Sequence, residues 1–364
     1  LRANTWLDVG YAVENDLLGI RGNTETIKKP SNAGTEEDPY QLTNVEQLAW
    51  YGYISTIKTS TSVQMQADMD LFGSNYTGET YDSSRDNIEQ ALRWVPIGKN
   101  AEGVFQYNMS KTFDGNGHYV TNMLVNEPSY NTGFIAQASG TVKDFGVKSG
   151  KITGGAGANA AIVGSTASSG KVYRCWNGAT VRGVNWTGGI VGQMPNCSTV
   201  VIEGCFNMGD ISGTSSYTAG IAGGTANVHT GPTIRNCGNT GKISGTYSSG
   251  IVNLIGLTEN GKWGSLSNCY NAGVVTGTSR AGAIMYAKEG SIFNCYYDTA
   301  KTANPGTGFS TLEARARTTE QLQSWAAAYA LNRNGMKNSA SDYGNFTWKS
   351  GEYPSLCYAE STDY

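Results

Sequence analysis

Thr218-Ala-Gly-Ile-Ala-Gly223, followed by Thr233-Ile-Arg-Asn-Cys-Gly-Asn239 and Gly241-Lys-Ile-Ser-Gly245, is the clearest copy of a unit that recurs six times between Gly133 and Gly290. Each copy has three short apolar segments separated by turns of Gly, Ser, Thr and Asn. Self-similarity at a nearly fixed period in this range is typical of solenoids, propellers and arrays. The repeated unit therefore determines the fold class before any single residue is considered.

The copies align into columns of apolar residues. The first column recurs every 27 to 33 residues and contains Ile135, Ile162, Ile190, Ile221, Ile251 and Ile284. The second contains Val142, Val172, Ile202, Ile234, Leu266 and Ile292, and three residues after these stand Phe145, Cys175, Cys205, Cys237, Cys269 and Cys295. The third contains Ile152, Val181, Ile211, Ile243 and Val275, and two residues after these stand Gly154, Gly183, Gly213, Gly245 and Gly277.

The unit predicts an all-β fold, a parallel β-helix in which each copy forms one coil. Three short strands per unit, without a 3.6-residue apolar spacing, argue against the helical solenoids. A propeller blade needs a longer unit of roughly 40 to 50 residues with four strands. Parallel strands stack about 4.8 Å apart, so each column of the alignment becomes a ladder of residues that lie above one another.

The irregular segments predict short helical caps at the two ends of one continuous body. We expect an N-terminal strand and linker over 1–33, then a cap with irregular first coils over 34–130 that includes a polar insertion at 73–91. Regular coils follow over 131–299, and a C-terminal helical cap covers 300–364. In this last part Thr318 or Thr319 begins a predicted helix with Leu322, Trp325 and Tyr329 on one side.

The composition argues against several classes of function. The net charge is -3 with 15% charged residues, so the chain has no basic stripe for phosphates, and nucleic acid is not an expected partner. No apolar run is long enough to span a membrane. Zinc is disfavoured because there is no C-x-x-C motif and His118 and His229 are far apart in sequence, so we expect no metal and no cofactor. The five cysteines of the column are expected to be free buried thiols, whereas the states of Cys197 and Cys357 stay open.

Several motifs together resemble the GLUG-motif repeats of bacterial cell-surface and secreted proteins. They are Gly188-Gly-Ile-Val-Gly192, Asn268-Cys-Tyr-Asn-Ala-Gly273, Gly34-Thr-Glu-Glu-Asp-Pro-Tyr40, Phe113-Asp-Gly-Asn-Gly-His118 and Tyr353-Pro-Ser-Leu356. The resemblance extends over nearly all of residues 34–358 and implies a right-handed parallel β-helix exported by a bacterium. Similar repeats accompany immunoglobulin A peptidases and adhesin-like proteins, usually as non-catalytic parts. The resemblance thus implies the fold more strongly than the function.

Two groups of aromatic residues are candidates for ligand binding. One group follows the cysteine column and comprises Trp176, Phe206, Tyr270 and Tyr296, and the other stands before the first column and comprises Trp186, Tyr217 and Tyr247. A row of flat rings at the coil spacing suits a sugar chain, because pyranose faces stack on aromatic rings. The alternative for the first group is packing in the core. A bend must fall between the second column and the cysteines, so either the cysteines or the aromatic residues face inward.

Catalysis has weaker candidates. A glycosidase needs two carboxylates roughly 5 to 9.5 Å apart in one cleft, and the central options are Asp144 with Glu203, or Asp210 with carboxylates of nearby loops. Arg174 and Arg235 are isolated candidates for the base of a lyase. A serine or metal-dependent peptidase is not expected, since histidines are scarce and no H-E-x-x-H motif is present. The asparagine column Asn177, Asn207, Asn239 and Asn271 is interpreted as a structural ladder.

These observations favour an adhesin-like domain, secreted or on the surface of a bacterium, that binds glycans or host and matrix proteins along its solenoid face. One alternative is a β-helical carbohydrate-active enzyme, either a glycoside hydrolase or a polysaccharide lyase. Another is a non-catalytic spacer in a larger surface protein. Binding of glycans without release of reducing sugar would separate the first hypothesis from the other two.

Overall fold

The computed structural model describes residues 30, 32–54, 61–71, 94–99, 104–128, 130–167, 169–195, 199–215, 217–225, 231–253, 264–286, 291–304, 306, 314–335 and 347–357. The segment 1–29, the insertion 73–91, Cys197 and His229 lie outside these residues. The described chain winds into a parallel β-helix, which confirms the predicted fold class. Successive coils contribute strands to four sheets that run along the solenoid, and short helices stand at both ends.

Sheet 1 is built from nine parallel strands in chain order, so it extends through the irregular first coils and the regular ones alike. The second apolar column lies on this sheet in register, because Val142, Val172 and Ile202 are direct partners on successive coils. The nine strands are Tyr40–Leu42, Val63–Met65, Thr112–Asp114, Thr141–Lys143, Lys171–Tyr173, Val201–Glu203, Thr233–Arg235, Ser265–Ser267 and Ser291–Phe293.

Sheet 2 also has nine parallel strands in chain order. It follows the cysteine column and carries the first aromatic group and the asparagine column, since Trp176 pairs with Phe206 and Asn177 pairs with Asn207. Its strands are Met69–Asp70, Tyr119–Thr121, Gly146–Val147, Trp176–Asn177, Phe206–Asn207, Gly238–Asn239, Tyr270–Asn271, Cys295–Asp298 and Ala314–Arg317.

Sheets 3 and 4 complete each coil. The third apolar column lies on sheet 3, where Ile152, Val181 and Ile211 are partners. The eight strands of sheet 3 are Met123–Glu127, Gly150–Gly154, Thr180–Gly183, Thr187–Gly188, Ile211–Gly213, Tyr217–Ala219, Ile243–Ser249 and Val275–Gly282. The four strands of sheet 4 are Ile135–Ala138, Val163–Thr166, Val191–Gln193 and Ala222–Gly224.

The predicted bend before the cysteines is a column of residues in the left-handed backbone region. Their φ values lie between 50° and 65°, which favours Asn, Asp and Gly. Each bends the chain from sheet 1 into sheet 2, so the residue two before it and the residue one after it both face inward. The cysteines are therefore the inward neighbours, fully buried and free. The corner residues are Asp144, Arg174, Gly204, Asn236, Asn268 and Asn294.

The first apolar column contains one error of alignment. Ile135 pairs with Val163 rather than with Ile162, so Phe134 is the residue that occupies the predicted place on that coil. The later members keep their positions, because Val163 pairs with Val191 on the next coil. Two successive residues of each copy are buried here, as Ile190 and Val191 illustrate. Either of two neighbouring residues therefore satisfies an apolar column, and sequence spacing alone chose the wrong one.

The asparagine column is a buried ladder of amides, as its structural interpretation predicted. The first three Nδ2 groups each donate to the Oδ1 of the asparagine on the next coil, at 2.8 Å from Asn177 to Asn207 and at 2.7 Å from Asn207 to Asn239. The Nδ2 of Asn239 donates to Asn271 at 2.7 Å. Each Nδ2 also donates to the carbonyl two residues further along its own chain, such as that of Gly209 at 2.9 Å from Asn207. The ladder satisfies side chains that are 0% exposed and ties four coils together.

The N-terminal end is closed by helix α1 (Val45–Ile54). Asn44 caps it, because its Oδ1 accepts the backbone N–H of Gln47 at 2.9 Å. Leu48 and Tyr51 are buried in the core, and the ring of Tyr51 lies 6.3 Å from that of Phe113. The apolar face of α1 thus covers the first coils, where bare strands would otherwise expose their edges.

The C-terminal cap contains helices α2 (Thr319–Leu322) and α3 (Trp325–Gly335) and an antiparallel hairpin of Thr347–Lys349 with Ser355–Cys357. Thr318 forms the predicted cap of α2, in a capping box with Gln321. The prediction of one helix with Leu322, Trp325 and Tyr329 on one side is wrong. The helix breaks before Trp325, which changes the phase, so Leu322 is buried while Trp325 is 71% and Tyr329 54% exposed.

Candidate functional site

The first aromatic group is buried beneath the C-terminal cap. Trp176, Phe206, Tyr270 and Tyr296 are at most 7% exposed and form a second apolar cluster with cap residues that include Leu331, Trp348 and Leu356. The rings of Tyr270 and Trp348 meet edge to face at 5.5 Å, and the Tyr270 hydroxyl donates to the carbonyl of Pro354. The expectation that Trp176, Tyr270 and Tyr296 offer exposed faces to a ligand is therefore wrong, because all three are buried in this cluster.

The interruption of this column by Gly238 has a steric cause. A Cβ atom at Gly238 would lie 2.5 Å from the ring of Phe206 and 2.8 Å from the ring of Tyr270. The two rings fill the space above and below the glycine, with centroids 6.1 Å apart. A side chain at this position would push them apart, so the glycine belongs to the packing of the cluster.

The second aromatic group stands on the outer surface where sheet 3 leads into sheet 4. Its rings lie along the solenoid at 4.6 Å between Trp186 and Tyr217 and at 5.5 Å between Tyr217 and Tyr247, with tilts of 36° and 32°. Tyr286 joins them, 5.0 Å from Tyr247 and 6.3 Å from Tyr217. All four rings are half-buried. We call Trp186, Tyr217, Tyr247 and Tyr286 the aromatic ladder.

Strand register explains why these rings meet. Tyr217 and Tyr247 are direct partners, and Trp186 precedes Thr187, which pairs with Thr218 just after Tyr217. Tyr247 in turn pairs with Arg280, beyond an irregularity in the register of the two strands. The guanidinium of Arg280 lies over the ring of Tyr286, at 5.7 Å from its centroid. One column of residues along the solenoid thus consists of Trp186, Tyr217, Tyr247 and Arg280.

Sequence reasoning missed Tyr286 and Arg280. The signal for Tyr286 was present, because it follows Met285 where the equivalent residues after Val191 and Ala222 are Gly192 and Gly223. A large ring in a place held by glycine on those two coils and by Asn253 on the coil before is a departure from the repeat. Arg280 gave no such signal, since its partnership with Tyr247 depends on the shift in register between those strands.

A row of small polar side chains supports the ladder from inside. Thr187, Thr218 and Ser248 are each 0% exposed, and they stand beside or directly after the aromatic residues of their coils. The glycines that follow the third column leave room for them, because a Cβ at Gly183 would lie 2.3 Å from Thr187 Oγ1, and one at Gly213 would lie 2.0 Å from Thr218 Oγ1. The glycine column is therefore required by the polar row, and the two hold the ladder on a rigid base.

Polar side chains accompany the ladder on the outer face of sheet 3. Ser212 and Ser244 are strand partners on successive coils. Arg182, on the coil before that of Ser212, is the other strand partner of Ser212. Ser212 and Ser244 are half-exposed and Arg182 is exposed. Hydroxyl and guanidinium groups thus stand on the same coils as the rings, three to five residues before them in the chain, and such a mixture of aromatic and polar groups is typical of ligand sites.

The predicted carboxylates are held in ion pairs. Asp144 accepts two hydrogen bonds from the guanidinium of Arg174, and Glu203 accepts from Arg235 at 2.6 Å. The side chain of Glu203 is only 4% exposed. The backbone of Asp144 bonds to the coil of Tyr173, and Arg174 bonds to the coil of Glu203, so the two acids stand two coils, or about 10 Å, apart.

The structure does not bring the acids into one cleft. Asp210 lies where the chain passes from sheet 2 to sheet 3, whereas Asp144 lies at the corner between sheets 1 and 2. The Oδ1 of Asp210 accepts the backbone N–H of Lys242 at 3.1 Å. Arg174 and Arg235, the candidate bases of a lyase, are occupied by their ion pairs. The arrangement gives these groups structural partners rather than a shared substrate.

His118 has a carboxylate partner near the N-terminal end. Its Nδ1 lies 3.0 Å from the Oδ1 of Asp68, which also accepts the backbone N–H of Tyr119. Within the described ranges, Asp68 is the one hydrogen-bond partner of the imidazole ring, so no hydroxyl or thiol nucleophile is placed against it. Among the same residues no group of three His, Cys, Asp or Glu side chains could hold a metal ion.

The fold has a counterpart among solved structures. The crystal structure of a Bacteroides ovatus protein, provisionally named an immunoglobulin A1 protease, matches with a TM-score of 0.62. The match covers 90% of this chain and 94% of that chain at 19% sequence identity, a likeness that shows the fold alone. No family model and no curated protein matches the sequence. Within the described residues, no helix has the length and apolarity to cross a membrane.

Proposed function

We propose that the chain is an adhesin-like β-helix protein, secreted by a bacterium or displayed on its surface, that binds glycans on the aromatic ladder. The observation that carries the proposal is that four neighbouring rings are partly exposed along one sheet, while the other aromatic column is covered. The resemblance to GLUG-motif surface proteins supports a location outside the cell or on the cell surface.

Geometry favours an extended ligand over a small one. Three rings, of Trp186, Tyr217 and Tyr247, follow the solenoid axis at separations of 4.6 and 5.5 Å. The ring of Tyr286 lies beside the last two, so the four rings form a strip rather than a pocket. The C–H faces of sugar rings pack on such a strip, and hydroxyl groups beside it can bond to Ser212 and Ser244. The coils of Tyr217 and Tyr247 each add a ring and a serine hydroxyl, which suits a polymer with a repeated backbone.

A glycan array read together with release of reducing sugar tests the proposal. Tyr247→Ala removes a ring from the middle of the ladder, and we expect affinity to fall about tenfold, equivalent to about 1.4 kcal/mol for one aromatic contact. Trp325→Ala is the matched control, because it removes a more exposed aromatic side chain, 71% exposed, on the C-terminal cap. This control should bind as the unchanged protein does.

The two alternatives predict different results in the same assay. An enzyme would release reducing sugar, and Glu203→Gln would abolish the release. A spacer would bind nothing on the array. The proposal is refuted if glycans bind equally well to Tyr247→Ala, or if only Trp325→Ala lowers binding.

A further inference from the structure

Exposed basic residues surround the aromatic ladder. Lys151, Arg182 and Arg280 are exposed on strands of sheet 3, and Lys242 is exposed just before the strand that carries Tyr247. They lie on four of five successive coils along sheet 3. The net charge of the whole chain is -3, so this face has the opposite sign to the molecule as a whole.

Among the described residues, few carboxylates stand near the two arginines of this face. The strands of sheet 3 contain one carboxylate, Glu127, whose side chain is 3% exposed and lies 3.4 Å from the buried amine of Lys99. Asp210 adjoins the sheet and accepts the backbone N–H of Lys242. In the part of the chain that the structure describes, neither Arg182 nor Arg280 has a carboxylate within ion-pair distance. By contrast, Arg174 and Arg235 on the neighbouring face are both paired.

The position of Arg280 suits recognition of a carboxylate. Its guanidinium lies over the ring of Tyr286, 5.7 Å from the ring centroid, within the range of a cation–π contact. A guanidinium can form two parallel N–H bonds to a carboxylate. Because Arg280 pairs with Tyr247 in the strand register, these donors stand at the end of the row of rings.

Arg182 lies beside the other end of the row. It precedes Trp186 by four residues on the same coil, and its partner on the next coil is Ser212. The strand of Arg280 is three coils further along, which places the backbones of the two arginines about 14 Å apart along the axis. A sugar chain lying on the ladder would therefore meet one arginine near each end.

We infer that the ligand of the aromatic ladder is an acidic glycan, in which carboxylate-bearing sugars such as uronates or sialates bind Arg182 and Arg280 while sugar faces pack on the rings. The inference rests on the proposed glycan-binding function and narrows its ligand class. The preference for an acidic ligand depends on Arg182 and Arg280, which are exposed and have no acidic partner among the described residues. The rings alone would accept neutral and acidic chains equally.

The experiment uses pairs of glycans that differ only in charge. Each uronate- or sialate-bearing oligosaccharide on an array is set beside its carboxyl-reduced counterpart, in which a primary alcohol replaces the carboxylate. We expect the acidic member to bind about fivefold or more tightly at low salt. This advantage should shrink as salt rises from about 0.01 M to 1 M, because the Debye length falls from about 30 Å to about 3 Å.

Two variants test whether Arg182 and Arg280 cause the preference for the acidic glycan. Arg280→Gln and Arg182→Gln should each reduce binding of the acidic member about fivefold and leave the neutral member unchanged. Lys349→Gln, which removes an exposed charge from the hairpin of the C-terminal cap, is the matched control and should alter neither.

The outcomes distinguish a failure of this inference from a failure of the proposed glycan-binding function. If both members of each pair bind equally, or if the neutral member binds more tightly, the inference is overturned and glycan binding on the ladder stands. If the arginine variants keep the full preference for the acid, the inference is also overturned. If no glycan binds, the proposed function fails and the acidic ligand fails with it.

Discussion

Replacing Asn207 by alanine should remove three hydrogen bonds from the middle of the asparagine ladder. Its Nδ2 donates to the carbonyl of Gly209 at 2.9 Å and to the Oδ1 of Asn239 at 2.7 Å. Its Oδ1 accepts from the Nδ2 of Asn177 at 2.8 Å. The side chain is 0% exposed, so water cannot replace these partners without entering the stack.

The magnitude follows from the groups left behind. The net contribution of a buried hydrogen bond is about 1 kcal/mol, and an orphaned buried acceptor costs about 1 to 3 kcal/mol. The Oδ1 of Asn239 loses the donor from Asn207 and becomes such an acceptor. We expect Asn207→Ala to lower the free energy of unfolding by about 3 to 5 kcal/mol. Urea unfolding followed by circular dichroism measures this change.

A pair of double-mutant cycles tests whether the ladder itself is responsible. Asn177 and Asn207 share a hydrogen bond, so their alanine substitutions should couple by about 1 kcal/mol. Asn177 and Asn271 stand three coils, about 14 Å, apart and should be additive within about 0.5 kcal/mol. The reasoning is wrong if Asn207→Ala costs less than about 1 kcal/mol, or if both pairs couple equally.

Three further predictions concern packing. Gly213→Ala should lower the free energy of unfolding by about 2 kcal/mol because its Cβ would meet Thr218 Oγ1 at 2.0 Å. Adding Thr218→Ala should restore part of the loss in thermal denaturation, and a further loss would contradict this account. Trp348→Ala should cost about 3 to 5 kcal/mol, leaving glycan affinity unchanged in titrations, since it opens the covered cluster and not the ladder. Burial raises the pKa of the Cys175, Cys237 and Cys295 thiols, so Ellman's reagent should react with them only after denaturation.

The repeat predicted the fold because in-register stacking turns columns of sequence into ladders of structure. Val142, Val172 and Ile202 pair as aligned, and the bend required by the parity of the cysteines lies at the left-handed corner residues. The same logic failed at Ile135, where two adjacent residues both face inward. Periodicity identifies an apolar column, but it does not choose between neighbours when the backbone bends between them.

The sequence predicted the candidate site only in part, because a local sequence pattern carries no information about which distant residues cover a surface. Sequence grouped Trp186, Tyr217 and Tyr247 correctly and also grouped Trp176 with Tyr270. Trp176 and Tyr270 do lie in one column, but the prediction that they form an exposed site is wrong. The residues that cover Tyr270 come from a hairpin beyond position 346, and the bond to Pro354 spans 84 residues. No repeat pattern in the coils contains that contact.

Departure from the repeat is therefore not in itself a sign of function. Asp144 and Arg174 replace the asparagines found at later corners, where Asn294 donates to Asn268 at 2.8 Å. On the early coils an ion pair between successive corner residues performs the same task as that amide bond. The substitution of an acid is thus matched by a base on the next coil. Tyr286 and Arg280 depart from the repeat differently, because both reach the surface and Arg280 has no acidic partner among the described residues. An irregular residue whose charge or ring is left unmatched by the neighbouring coils is the kind that points to a ligand.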